Sequence, residues 1–174
     1  KNIFKLIYHG TISDRFGLDI ILDGIKQAIV ICPNILLNIY GKGDGVDSLL
    51  KKINTLELSS NVIYHGQIDL EKIPEKIFFS DLGIISYKIN ESTKLMLPLK
   101  LMENIAMLTP VLTVKNDAIE HYFNSGELEY YQAGNSDSFS AKLIEIVSQP
   151  NRLIEIRKKL KKINDRLNWD LEES

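Results

Sequence analysis

Six short, β-rich apolar runs alternate along this chain with segments whose apolar residues recur at helical spacing. The runs are Ile3 to Tyr8, Ile35 to Tyr40, Val62 to Tyr64, Leu82 to Ser86, Val111 to Val114 and a weaker one from Leu128 to Tyr131. They are continuous rather than alternating, as expected of strands covered on both faces. Leu18, Ile21, Leu22, Ile25, Ala28 and Ile29 mark a helix that stops near Pro33. Val46, Leu49, Leu50, Ile53 and Leu56 mark a second, with Asp44 as its candidate cap. A short helix is expected over 70–79 and another opens at Pro98; two more close the chain near 136–148 and 151–168. Alternation over the whole length predicts an α/β domain: a Rossmann-like, doubly wound, parallel six-stranded sheet in the order 3-2-1-4-5-6, flanked by helices. In that order the switch point lies between strands 1 and 4. Ligands are therefore expected against the loops His9 to Phe16 and Tyr87 to Leu97.

The 174 residues suffice for one domain with a sizeable core. The net charge is −2, with 21 basic and 23 acidic side chains, so no global positive field argues for nucleic acid. No apolar run reaches membrane-spanning length and no secretory leader is visible. The chain opens at Lys1 and enters a strand-like run at once, which suggests a piece of a longer protein. The single cysteine, Cys32, sits in an apolar helix pattern and is expected to be a buried structural thiol in a reducing cytoplasm.

Two segments carry chemistry. In the first, His9-Gly10-Thr11-Ile12-Ser13-Asp14-Arg15-Phe16-Gly17, a glycine lets backbone amides approach an anion. Thr11 adds a hydroxyl and Arg15 a planar fork matched to phosphate oxygens. The following helix points its N-terminus at the same place. The alternative is a solvated loop in which Arg15 pairs with Asp14 or Asp19. The second segment, Pro98-Leu99-Lys100-Leu101-Met102-Glu103-Asn104-Ile105, opens a helix with proline at its start. Lys100 then falls in the first turn, where the helix dipole disfavours a cation by roughly 0.3–1 kcal/mol. A lysine placed against that preference is explained by an anion at the same spot; a wet pair between Lys100 and Glu103 is the alternative. Glu103 lies one turn in, at a depth suited to vicinal ribose hydroxyls, while Leu101, Met102, Ile105 and Ala106 are expected to face the core. Together the two segments suggest a pocket for a nucleoside diphosphate. His9 and His65 are placed to approach the ligand and His121 is assigned to a loop; no spacing suggests a metal site.

With these residues in view, the chain resembles the C-terminal, donor-binding domain of GT-B fold glycosyltransferases of family four, the group 1 type. The resemblance covers 1–174 and rests on several stretches in order. These are Gly10-Thr11 with Arg15 and Gly17-Leu18-Asp19, Tyr40-Gly41-Lys42-Gly43, Val62 with Gly66, and Pro98-Leu99-Lys100 with Glu103 and Thr109-Pro110-Val111. It implies a domain that binds a nucleotide-diphosphate-sugar for transfer to a glycan or lipid-linked acceptor, retaining and metal-independent, with a separate N-terminal domain for the acceptor. By the resemblance, Gly10 and Thr11 line the diphosphate and Arg15 neutralises the leaving group. Gly66 and Gln67 hold the base edge, Pro98 and Leu99 open the ligand-facing helix, Lys100 stands near the diphosphate and Glu103 binds the ribose. No cofactor is implied beyond the donor itself. The chain alone is expected to bind nucleotide weakly and to transfer no sugar.

Two family positions differ. The family's first motif glutamate lies eight residues before Glu103, where this chain has Leu95, and Phe16 stands where a lysine is common. Lys94 or Lys100 is expected to compensate. A non-catalytic scaffold module and a nucleotide-sugar epimerase on the same fold stay open beside the transferase. The last helix carries an apolar stripe of Leu153, Ile156, Leu160, Ile163 and Leu167 beside Arg152, Arg157, Lys158, Lys159, Lys161, Lys162 and Arg166. It is expected to pack on this domain. Contact with the N-terminal domain or with an anionic membrane at the inner face is the alternative, and Trp169 suits either interface.

Overall fold

The computed structural model describes residues 2–91, 93–123 and 126–166. The six strands are β1 (Phe4–His9), β2 (Ile35–Tyr40), β3 (Val62–Tyr64), β4 (Leu82–Ile85), β5 (Val111–Val114) and β6 (Glu129–Tyr131). They form one sheet in the order β3-β2-β1-β4-β5-β6, every pair parallel, as the alternation predicts. β1 is central. Leu6 pairs with Leu37 on one side and Leu82 on the other, so no edge of β1 meets water. Leu6, Ile7 and Tyr8 are fully buried, as a strand covered on both faces requires.

The helices are α1 (Leu18–Ala28), α2 (Val46–Thr55), α3 (Ile73–Phe78), α4 (Leu99–Ala106), α5 (Asp117–Tyr122), α6 (Ser136–Val147) and α7 (Pro150–Arg166). α1 buries Leu18, Ile21, Leu22, Ile25 and Ala28 against the sheet and packs closely on α6. A methyl group on Gly24 would stand 2.5 Å from the Phe139 ring, which is why that helix carries glycine at its contact. On β1, Ile7 packs with Ile77 of α3, and two residues on, His9 reaches α4 from the same face. α7 lays Leu153, Ile156, Leu160 and Ile163 against the domain and leaves Arg157, Lys158, Lys161 and Lys162 on its outer side. Its neighbours are α4 and α6. Arg152 fastens it by a two-pronged pair with Glu129 of β6, Nη2 to Oε2 at 2.7 Å. Leu167 and Trp169 lie outside the described residues.

Several local expectations need correction. A further helix, α5, forms between β5 and β6, and His121 belongs to it rather than to a loop. Asn116 caps it: its side chain accepts from the Ile119 amide at 2.7 Å and its amide group donates to Met96 O at 2.6 Å. Asp44 does not cap α2; Gly45 stands at that position with no side-chain bond. Leu50 of α2 is exposed. Cys32 follows α1 in the connection to β2 and is half-buried against the core. The segment 70–79 divides into a 3-10 turn, Leu70–Lys72, and α3, because Pro74 fits only the first turn of an α-helix.

Candidate functional site

A cleft of about 730 Å³ opens at the carboxyl ends of β1 to β4. The strand exits line it: His9-Gly10-Thr11 at the end of β1, Tyr40-Gly41-Lys42 at the end of β2, Gln67-Ile68 after β3, and Ser86-Tyr87 after β4. Pro98, Leu99, Lys100 and Glu103 of α4 close it on one side, and Ile73, Pro74 and Ile77 of α3 floor it. The cleft therefore sits at the switch point, where the strand order reverses.

The exits of β1 and β2 run close together. Gly10 N donates to Tyr40 O at 3.0 Å and Ile12 N to Lys42 O at 2.9 Å. A methyl on Gly41 would fall 1.8 Å from Gly10 O, so only glycine allows this approach. The Tyr8 hydroxyl donates to Thr11 O at 2.7 Å and pins the β1 loop from below. Gly10 has φ +115°, and a methyl there would stand 3.3 Å from Lys100 Nζ. The glycine thus leaves room for the lysine above it.

Lys100 is the unusual group. Its Nζ is buried and has no hydrogen-bond partner in the protein. It lies 4.2 Å from the centroid of the Tyr8 ring and 4.9 Å from that of Phe16. Burial holds its pKa down at about 8, against a smaller opposing pull from Glu103. The expected alternative, a direct pair between Lys100 and Glu103, does not form; the carboxylate turns to His9 instead, Oε2 to Nδ1 at 3.6 Å. Burial raises the Glu103 pKa and Lys100 lowers it. His9 is held neutral, its pKa lowered to about 4 by burial first and by Lys100 second. Pro98 is the N-cap residue of α4, not its first helical residue, and has no side chain with which to cap. In the first turn of α4 the Leu101 amide donates to Pro98 O at 2.9 Å, while the amides of Leu99 and Lys100 have no acceptor within the helix and lie at the cleft edge.

Of the residues expected from sequence, Gly10, Thr11, Gln67, Pro98, Leu99, Lys100 and Glu103 line one cleft. Arg15 does not. It is exposed at the rim with its guanidinium 4.7 Å from the Phe16 ring, and Asp14 pairs with Lys88 Nζ at 2.7 Å rather than with Arg15. Gly66 stands behind the wall, where its carbonyl accepts from Gly41 N at 2.8 Å. His65 stacks on Tyr40 at 4.5 Å and binds Asn38 Oδ1 at 2.8 Å, away from the opening. Lys94 pairs with Glu91 at 2.6 Å outside the cleft, so it is no substitute for the missing glutamate, and Leu95 is 67% exposed. Ala106 faces the cleft rather than the core.

Asn104 was missed as a functional candidate. It is 1% exposed, and its signal is a polar residue on the apolar side of α4, four positions after Lys100. Lys42, exposed on the opposite wall, is a further cation at the cleft. Among the described residues, no three His, Cys, Asp or Glu side chains converge in a way that would hold a metal ion.

Comparison with known proteins agrees with this architecture. The chitobiosyldiphosphodolichol beta-mannosyltransferase of Dictyostelium discoideum is 31% identical over 88 residues, covering 51% of this chain and 17% of that protein. HepE of Anabaena, solved in complex with UDP, superposes with a TM-score of 0.79 at 17% identity over 99% of this chain and 50% of that one. The C-terminal domain of LpcC, a glycosyl transferase group 1 family protein of Francisella tularensis, gives 0.78 at 18% identity over 95% of this chain and 85% of that one. The chain thus spans half or less of the full-length proteins it resembles. The family model described as glycosyl transferases group 1 matches residues 2–166, nearly the whole chain, and this chain therefore belongs to that family.

Proposed function

We propose that this chain is the donor-binding, C-terminal domain of a two-domain glycosyltransferase and binds a nucleotide-diphosphate-sugar in the switch-point cleft. One observation carries it: a buried ammonium without a protein partner, Lys100, at the opening of α4, with Glu103 one turn further in. A cation confined in this way is stabilised by an arriving polyanion more than an exposed one is, because water screens it less. The diphosphate lies between Lys100, Gly10, Thr11 and the first amides of α4. The ribose reaches Glu103, and the base lies toward Gln67 beside the β3 exit. Arg15 adds a screened attraction from the rim. Binding of UDP by the Anabaena neighbour supports a diphosphate in this fold.

The leaving diphosphate is stabilised by Lys100 and the helix dipole instead of a metal; support comes from a cation already seated against the dipole's preference. Transfer retains the anomeric configuration, as the family-four resemblance implies, and the acceptor is a glycan or lipid-linked glycan held by the N-terminal domain. Alone, the chain binds nucleotide and transfers nothing. Among the described residues no helix is long and apolar enough to cross a membrane. A cytoplasmic location with peripheral contact at the inner face through the outer side of α7 is supported by its exposed basic residues. Calorimetric titration with UDP, GDP and ADP, beside Lys100→Met and Glu103→Gln, tests the donor site. Binding of one nucleotide weakened at least tenfold by each substitution supports it, and equal affinity in all three proteins refutes it.

A further inference from the structure

We propose that His9 and Asn104 are positioning residues for Glu103, forming a relay that presents the carboxylate to the ribose of the nucleotide. The inference rests on the donor-site reading above. Asn104 Nδ2 donates to Lys100 O at 2.7 Å. A carbonyl only accepts, so this bond fixes which end of the Asn104 amide faces α4. The second hydrogen of the same nitrogen points to His9 Nε2 at 3.4 Å. His9 Nε2 is therefore the acceptor nitrogen and the single ring proton stays on Nδ1. Nδ1 faces Glu103 Oε2 at 3.6 Å, just beyond hydrogen-bond length. The contact closes to a hydrogen bond when the ribose hydroxyls draw Glu103 into place, as contacts in ligand-free sites commonly do.

The cost of the arrangement supports a functional role. Asn104 is 1% exposed on the core side of α4, and its Oδ1 has no partner. An unpaired buried acceptor costs about 1–3 kcal/mol, so an apolar residue would pack more stably there. The sheet also yields to it: a methyl on Gly83 would meet Asn104 Oδ1 at 2.1 Å, so β4 carries glycine opposite the amide. A neutral imidazole donor suits the task. It orders one carboxylate oxygen through an N–H and brings no second cation next to Lys100, while the other lone pairs of Glu103 stay free for the sugar hydroxyls.

The test compares, in this chain, whichever of UDP, GDP or ADP binds with its 2′,3′-dideoxy counterpart. Wild type should prefer the ribonucleotide. His9→Ala should weaken the ribonucleotide about tenfold, the value of one hydrogen bond to a charged group, and change the dideoxy compound by less than about twofold. His9→Asn, which keeps an N–H near the Nδ1 position, should recover most of the loss. Should His9→Ala not fold, Asn104→Leu replaces it, because it removes the amide that fixes the His9 tautomer, and the same selective loss is required. Equal weakening of both nucleotides, or of neither, overturns the relay while leaving the donor site standing. A wild type that does not distinguish ribose from dideoxyribose overturns the assignment of Glu103 and the relay with it.

Discussion

Lys100 Nζ stands 4.2 Å over the ring of Tyr8, buried, with no protein oxygen as hydrogen-bond partner. The ring face partly compensates the lost hydration, by about 1–2 kcal/mol at a desolvated site, and the remainder is a standing cost to the fold. Lys100→Met keeps the stem and removes the charge. It should raise stability by about 1–3 kcal/mol while weakening nucleotide binding at least tenfold. Thermal unfolding and calorimetry on the same preparation check both halves.

Lys100 also predicts a pH dependence of defined sign. Its pKa in the folded chain is about 8, against an ordinary lysine value of 10.5. Between those values the unfolded chain binds the extra proton, so its contribution to stability rises with pH across this window and is flat below it. A bound diphosphate favours the charged form. Binding at pH 8 should therefore take up about half a proton and weaken as pH rises through 8 to 10. Titrations in buffers of different ionisation enthalpy measure the uptake, and Lys100→Met should abolish it.

Gly10→Ala places a methyl 3.3 Å from Lys100 Nζ on a residue with φ +115°. We expect a loss of about 1–3 kcal/mol from backbone strain and a weaker nucleotide site, because the lysine must shift. Chemical denaturation read against calorimetry separates the two effects.

Arg15 and Lys100 should separate by salt. Arg15 is exposed over Phe16, so its attraction is screened beyond roughly 10 Å at 0.1 M salt. Arg15→Ala should weaken nucleotide binding by about two- to fivefold at low ionic strength and by less at 0.5 M. The Lys100→Met loss should persist at both. Affinities measured at two salt concentrations decide it.

Arg152→Met should cost about 1–2 kcal/mol. It breaks the two-pronged pair with Glu129, whose side chain is only 12% exposed, and leaves Lys142 at 3.8 Å as its remaining cation. Adding Glu129→Gln to that variant should recover part of the loss in a double-mutant cycle read by denaturation.

The sequence by itself determined the strand order, the parallel sheet and the place of the cleft. Short β-rich apolar runs such as Leu6 to Tyr8, alternating with segments of helical spacing, fit strands covered on both faces, and the reversal in strand order then sets the ligand side. It also singled out Lys100, because a cation in a first helical turn is locally unfavourable and that penalty is visible without coordinates. Only the tertiary structure decided which charges reach the cleft. The sequence offers both Arg15 and Lys100 to an anion, yet the turn at Asp14–Phe16 leaves one on the rim while Gly10 admits the other. The relay from Asn104 through His9 to Glu103 was invisible for the same reason. It joins residues 95 apart in the chain, and only the packing of α4 beside β1 brings them within hydrogen-bond range.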